Sequence, residues 1–235
     1  MIFETNKKKV DVALEIASMH GFSSIINYFE NQEIEILKDL HRKVFKTHEK
    51  KYGNQIVELN KKQLKDFDLI SNHIKQINDR INHFFKKKFF LNKVWFENKI
   101  FDVNTDENYR NKLPYIPHID KKRFFKIMIY LDKTDENNGA IKFCKKNPNE
   151  LEQFRQKILK NEELSNVIQN DNLNFFSISG DEGDLIFFDT NCPHKAGIGR
   201  KNNSRRVIRI DFETIDWNCK TLFSRTKLIL KDIIL

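Results

Sequence analysis

Residues 183–194 read Gly183-Asp184-Leu185-Ile186-Phe187-Phe188-Asp189-Thr190-Asn191-Cys192-Pro193-His194. A Gly-Asp pair is typical of a tight turn, because glycine tolerates positive φ and aspartate bonds to its own backbone. The four apolar residues after it predict a buried strand. A histidine then stands just beyond the strand, where the end of a sheet could hold it beside other polar groups.

Around this strand, six more short runs are rich in β-branched and aromatic residues, which favour strands. They are residues 89–96, 99–103, 124–131, 140–144, 174–178 and 205–212. Many short strands after a helical block are typical of a sandwich or jelly roll. We therefore predict an α+β fold with a jelly-roll core, a cupin-like double-stranded β-helix, and N-terminal helices packed on one sheet.

The first ninety residues show mainly helical periodicity. One helix is predicted around Val10 and ends at Gly21, and a short strand follows over 22–29. A second helix is predicted to start with Asn31 as its cap and to end near Gly53.

In a third predicted helix, apolar residues recur every three or four positions along one face. They are Ile70, Ile74, Ile77, Ile81 and Phe84. His73 and His83 lie off this face, so we expect both to face solvent. One more helix, over 150–167, is predicted to interrupt the strands.

The composition indicates one globular domain. The 235 residues include 39% hydrophobic and 12% aromatic ones, which excludes disorder of the whole chain. We predict a single domain over 1–235, with a mostly helical part at 1–88, the core at 89–213 and a tail at 214–235, of which residues 221–235 are apolar enough to pack back on the body. No signal peptide or long apolar span is visible, and the three cysteines are scattered, which favours the cytoplasm and no membrane association.

The net charge of +9 does not by itself indicate a nucleic-acid partner. The lysine runs are spread along the chain without interleaved aromatic residues, so they favour a solvated surface. A basic nucleic-acid-binding protein is therefore the less favoured alternative. We expect a small-molecule partner instead.

His118 and Asp120 are the first candidate metal ligands. On an extended segment, residues two apart point the same way, so an imidazole and a carboxylate can reach one ion. His194 could join them from a neighbouring strand. Two histidines and one carboxylate form the facial triad that suits Fe(II) and leaves open coordination positions, although the same donors also suit zinc or manganese.

Arg205, eleven residues after His194, is the candidate for binding a carboxylate, because its planar guanidinium forms a fork. If Arg205 points inward, Arg209 follows it and Arg206 faces outward. Arg206 stays an alternative, because a bulge would exchange the two faces. Lys121, Lys122 and Arg123 follow Asp120 directly, and one hypothesis is that they rim the pocket, with Lys122 and Arg123 as the candidates for binding an anionic substrate.

The order of these pieces resembles the phytanoyl-CoA dioxygenase family of Fe(II)/2-oxoglutarate-dependent oxygenases. That family has His-x-Asp, an Asn-Gly turn, a Gly-Asp turn into an apolar strand, a distal histidine and then an arginine. Here these pieces are His118-Ile119-Asp120, Asn138-Gly139, Gly183-Asp184, His194 and Arg205. The family's Pro-Gly-Ser/Thr-His segment is replaced by residues 144–148, so the acyl-CoA substrate is not carried over.

The resemblance implies that His118, Asp120 and His194 hold Fe(II), that Arg205 binds 2-oxoglutarate, and that O2 is the oxidant. It implies hydroxylation of a small molecule with release of succinate and CO2, while desaturation or ring closure would use the same ligands. The presence of Asp120 argues against halogenation, because the halogenating relatives lack this carboxylate. A catalytically silent jelly-roll binding protein is the main alternative.

Overall fold

The computed structural model describes residues 2–51, 55–65, 67–101, 112–161, 163–169, 172–218 and 226. Three helices precede the main body of strands: α1 (Ile2–His20), α2 (Asn31–Thr47) and α3 (Asp68–Phe85). Two short helices, α4 (Glu152–Lys160) and α5 (Ile215–Asn218), come later. The predicted packing of the tail concerns residues that lie mostly outside the described ones.

Nine strands form two antiparallel sheets, and their bounds are as follows. They are β1 (Phe22–Ile25), β2 (Ile56–Leu59), β3 (Phe89–Ile100), β4 (Phe125–Tyr130), β5 (Lys142–Cys144), β6 (Phe175–Ser177), β7 (Leu185–Asp189), β8 (His194–Lys195) and β9 (Ser204–Thr214). The larger sheet has the order β1-β7-β4-β9-β3-β2, and the smaller one β6-β5-β8. The predicted mixed architecture of helices and antiparallel strands is confirmed.

The larger sheet is buried on both faces, which explains its long apolar runs. In β4, Ile127 and Ile129 belong to the core shared with the helices, whereas Met128 and Tyr130 point the other way. There they pack with residues of the smaller sheet such as Phe143. The inner faces of the two sheets therefore enclose a second core, and the predicted placement of the helices on one sheet is correct.

Helix α2 shows how the sequence sets the helical layer. Glu30, and not Asn31, is its N-cap, and Glu30 and Glu33 form a capping box. The helix ends at Thr47, before the predicted end near Gly53, and its buried face includes His41. This face packs toward β3, so an imidazole lies in the apolar layer between helix and sheet.

Several predicted elements differ from the structure. The short strand β2 was not predicted, and β3 is one strand of 12 residues where two were expected. The strand predicted over 22–29 ends at Ile25, and the helix predicted over 150–167 ends at Lys160. Among the described residues, no helix is both long and apolar enough to cross a membrane.

The prediction that His73 faces solvent is wrong, whereas His83 is exposed as expected. His73 is 9% exposed and lies between Tyr28 and Glu33. Its Nε2 is 3.0 Å from a carboxylate oxygen of Glu33, and its Nδ1 is 3.4 Å from the hydroxyl of Tyr28. These partners satisfy both ring nitrogens, so the ring can be buried beside the apolar face.

Candidate metal centre

Backbone pairing brings His118 and His194 together. The two residues form an isolated antiparallel bridge, in which each backbone N–H donates to the other's carbonyl at 3.0 and 2.9 Å. Their ring centroids are 4.4 Å apart. Because His194 lies in β8 of the smaller sheet, the bridge places both imidazoles at one end of the space between the sheets.

Asp120 completes a cluster of three donors. Its Oδ1 lies 3.8 Å from Nε2 of His118 and 3.7 Å from Nε2 of His194. One ligand atom from each of the three residues lies within 4.8 Å of the others. The backbone N–H of Asp120 donates to the carbonyl of Thr190, which fixes the carboxylate against the turn after β7.

The hydrogen bond at Nδ1 of each imidazole determines which ring nitrogen is free to bind a metal. His118 Nδ1 lies 2.8 Å from the carbonyl oxygen of Ile116, and His194 Nδ1 lies 2.9 Å from that of Cys192. A carbonyl only accepts, so each Nδ1 carries the proton and each Nε2 keeps a lone pair toward Asp120. This hydrogen-bond pattern is the one that orients metal-binding histidines in proteins.

The electrostatics hold the three groups in the protonation states that a metal requires. Burial, with the neighbouring His118, lowers the pKa of His194 to about 3, and burial also lowers the pKa of His118. Burial acts to raise the pKa of Asp120, but the charge of Lys126 and the adjacent histidines outweigh it and hold that pKa at about 2. At neutral pH the cluster thus offers two neutral imidazoles and one carboxylate.

Sequence reasoning missed Lys126, which also lines this site. Lys126 is 8% exposed, and its Nζ donates to Oδ2 of Asp120 at 2.6 Å. It lies in β4 two residues before Met128, on the face that points between the sheets. The available signal was the alternation of β4, which places Lys126 on the inner face of an otherwise apolar strand.

The cluster opens on a cavity of about 250 Å³ between the sheets. Its lining includes polar side chains from β3, β4 and β9 as well as the three donors. These polar residues are Glu97, Lys99, Lys126, Arg205 and Arg209. The inner face of the larger sheet therefore gives this cavity a strongly charged wall.

Arg205 faces the cavity, whereas Arg206 does not. Arg205 is 4% exposed, and one of its terminal nitrogens donates to the carbonyl of Gly139. Its buried Nε has no hydrogen-bond partner among the described residues. Arg206 lies on the opposite face of β9, where its guanidinium is bound by Asp132.

The alternation predicted for this strand is also observed. Arg209 follows Arg205 into the cavity, while Ile208 and Ile210 pack under the helices. Arg209 is already paired, because it donates to Glu97 at 2.8 Å and to Asp211 at 3.2 Å. Of the two inward-facing arginines, Arg205 is therefore the one whose guanidinium can receive a carboxylate from outside the protein.

Lys121, Lys122 and Arg123, which were predicted to rim the pocket, do not line this cavity. Lys122 is exposed and borders an adjoining groove that shares Lys126 and Arg209 with the cavity. Arg123 is 6% exposed, and its guanidinium binds both carboxylate oxygens of Asp189 at 2.6 to 3.0 Å. It also lies 4.1 Å from the ring centroid of Trp217, so its contacts are internal.

Comparisons with known proteins agree with this geometry. The sequence matches the family model of phytanoyl-CoA dioxygenase over residues 30–207. No curated protein sequence matches the chain significantly.

Solved structures with the same fold include three enzymes at low sequence identity. The non-haem alpha-ketoglutarate-dependent epimerase SnoN from nogalamycin biosynthesis is 12% identical, with a TM-score of 0.62 over 88% of this chain and 83% of that one. The carbocyclase SnoK from the same biosynthesis is 11% identical, with a TM-score of 0.62 over 92% and 89%. EctD from S. alaskensis, solved with 2-oxoglutarate and 5-hydroxyectoine, is 9% identical, with a TM-score of 0.56 over 88% and 76%.

At these identities the three structures show a shared fold and nothing finer. The family match is the stronger finding, because it spans most of the chain and includes the clustered histidines, Asp120 and Arg205. The chain therefore belongs to the phytanoyl-CoA dioxygenase family.

Proposed function

We propose that this protein is a non-haem Fe(II)/2-oxoglutarate-dependent dioxygenase that hydroxylates a small molecule and releases succinate and CO2. One observation carries the proposal: a cluster of two imidazoles and a carboxylate shares a cavity with a buried arginine that has no carboxylate partner among the described residues. Family membership supports it, and so does the similar fold of SnoN, which was solved in complex with Fe3+ and alpha ketoglutarate.

In this proposal, His118, Asp120 and His194 hold the metal. Two nitrogen donors and one carboxylate are the ligand set of non-haem Fe(II) oxygenases, and their position on one side leaves the cavity side open for other ligands. When bound, the iron and 2-oxoglutarate supply the oxidising chemistry, while the protein supplies binding, orientation and electrostatics. The backbone carbonyls that hold each Nδ1 would keep both imidazoles aimed at the ion.

Arg205 would bind the carboxylate of 2-oxoglutarate that is remote from the metal. Its unpartnered Nε and its free terminal N–H groups form the fork that matches a carboxylate. Arg206, the alternative from the sequence, is bound by Asp132 on the other face, which favours Arg205. The burial of Arg205 and its hydrogen bond to the carbonyl of Gly139 would also hold the Arg205 guanidinium in a fixed orientation.

We also propose that the two sheets form a double-stranded β-helix and that the whole chain, 1–235, is one catalytic domain. The enclosed inner core and the position of the donors at its end support this architecture. The helical part at 1–88 packs on the outer face of the larger sheet and would stiffen it. The donors would then lie where the segment of His118 and Asp120 meets β8, held there by backbone hydrogen bonds to His194 and Thr190.

The experiment is an aerobic assay with Fe(II), 2-oxoglutarate and a panel of small molecules, in which succinate is measured and products are analysed by mass. We expect succinate to form, and a product one oxygen atom heavier that carries ¹⁸O from ¹⁸O2. His194→Ala is the matched control and should form no succinate above the background without protein. A product of unchanged mass or two hydrogens lighter would contradict hydroxylation, and no succinate with any condition would favour the silent binding protein.

A further inference from the structure

The two carboxylate oxygens of Asp120 have different neighbours, because Lys126 forms an ion pair with only one of them. Oδ2 accepts the hydrogen bond from Nζ of Lys126 at 2.6 Å, and Oδ1 faces the Nε2 atoms of His118 and His194 at 3.8 and 3.7 Å. Each oxygen therefore has a separate task. The oxygen that faces the imidazoles is the one that can complete a metal site with them.

The position of Lys126 is costly unless this pair serves a purpose. A buried ammonium is stable only when it is paired and hydrogen-bonded, and a buried pair rarely adds stability over apolar residues. Lys126 is the second residue of β4, on the same face as the buried Met128. Among the described residues, Asp120 is the only carboxylate within ion-pair distance of it.

A carboxylate can bind a metal through one oxygen or through both. The two-oxygen mode would use one more coordination position, and the proposed chemistry needs three positions for 2-oxoglutarate and O2. The hydrogen bond from Lys126 to Oδ2 disfavours the two-oxygen mode, because Oδ2 would have to give up this hydrogen bond in order to bind the metal. The cation also lies close enough to any bound ion to repel it.

We propose that Lys126 is a positioning residue that restricts Asp120 to metal binding through Oδ1 and so keeps a coordination position open for 2-oxoglutarate. The inference rests on the proposed function and concerns the role of one side chain within it. A positioning role for Lys126 can be distinguished from a merely structural one by measuring ligand binding. Loss of the ammonium removes both a repulsion and a restraint, so metal binding and 2-oxoglutarate binding should change in opposite directions.

The experiment compares wild type, Lys126→Met and Lys126→Arg, with Lys133→Met as the matched control because the Lys133 side chain is 81% exposed. Fe(II) affinity is measured by anaerobic calorimetry. The affinity of the Fe(II)-loaded protein for 2-oxoglutarate is measured from the visible charge-transfer band of the chelate. Circular dichroism and melting temperature show whether each variant is folded.

We expect Lys126→Met to bind Fe(II) at least as tightly as wild type and 2-oxoglutarate about tenfold or more weakly. Lys126→Arg, which can still donate to Oδ2, should restore most of the 2-oxoglutarate affinity, and Lys133→Met should match wild type. Weaker Fe(II) binding with unchanged 2-oxoglutarate affinity at saturating metal would overturn the inference and leave a structural role. Unchanged values for both ligands would also overturn it.

The two proposals fail in different ways in this experiment. If wild type forms no band with 2-oxoglutarate, the proposed function fails and the role of Lys126 fails with it. If wild type forms the band and Lys126→Met forms it with the same affinity, only the role of Lys126 fails. If Lys126→Met does not fold, Lys126→Arg and a Lys126→Gln variant give the same comparison.

Discussion

His41 should make the stability of the protein depend on pH. Its side chain lies between α2 and the sheet, 2% exposed, with its ring stacked on Phe45 at 4.7 Å. Its Nε2 lies 3.0 Å from the carbonyl oxygen of Glu97, to which it donates. Burial, helped by the charge of Arg206, lowers the pKa of His41 to about 4 in the folded protein.

The direction and the size of this pH dependence of stability follow from the linkage between proton binding and folding. In the unfolded chain a histidine has a pKa of about 6.5, so between pH 6.5 and pH 4 the unfolded state binds the proton more strongly. The contribution of His41 to stability is therefore fully present above about pH 6.5 and decreases as the pH falls. Between pH 7.5 and pH 5 we expect the free energy of unfolding to fall by about 2 kcal/mol from this residue alone.

The assay is urea unfolding followed by tryptophan fluorescence at half-unit steps from pH 7.5 to pH 5, for wild type and His41→Gln. The glutamine amide can still donate to the carbonyl of Glu97 but does not titrate. Contributions from other residues cancel in the difference between the two proteins, which should shrink by about 2 kcal/mol as the pH falls. A difference that stays constant over this range would refute the placement of a neutral, buried imidazole.

Three further predictions concern the site and its surroundings. Arg205→Gln should raise the 2-oxoglutarate concentration needed for half-saturation about 10- to 150-fold, because it removes charge-assisted hydrogen bonds, while Arg206→Gln should leave it within about twofold; equal effects would contradict the assignment. Arg123→Met should lower the free energy of unfolding by about 3 to 5 kcal/mol, because it leaves a buried carboxylate unpaired, and Lys122→Met should change it by less than about 0.5 kcal/mol; equal urea midpoints would count against the internal role. Gly183→Ala should lower the free energy of unfolding by about 1 to 3 kcal/mol, because φ of Gly183 is +87° and a Cβ there would lie 2.6 Å from the side chain of Ile34 in α2. An unchanged melting temperature would contradict this prediction.

Much of the fold could be predicted from periodicity. The isoleucines of α3 mark one buried face, and the run after Gly183 forms β7 as expected. The short strand β2 was missed because four residues between two helices carry too little pattern to stand out. The split of β3 was wrong because Glu97 and Asn98 look like a break, yet both continue the ladder with β9.

For the candidate site, spacing and order along the chain indicated His118, Asp120, His194 and Arg205. Their convergence depends on a backbone bridge between segments far apart in sequence, which only the folded chain shows. The assignment of Arg123 to the pocket rim failed because sequence proximity to Asp120 does not reveal Asp189, which lies at the end of the neighbouring strand β7 and binds the guanidinium. Lys126 was missed because the run that became β4 was read as an apolar strand, although its alternation places the one lysine on the inner face.

The central claim is that the two histidines and Asp120 form one Fe(II) site that also takes 2-oxoglutarate. Its most direct test is an anaerobic titration of Fe(II) and 2-oxoglutarate, followed by the visible charge-transfer band of the chelate, in wild type and His194→Ala. We predict a band in wild type that saturates at one Fe(II) per chain and is absent in His194→Ala at the same concentrations. No band in wild type, or an equal band in His194→Ala, would contradict the account.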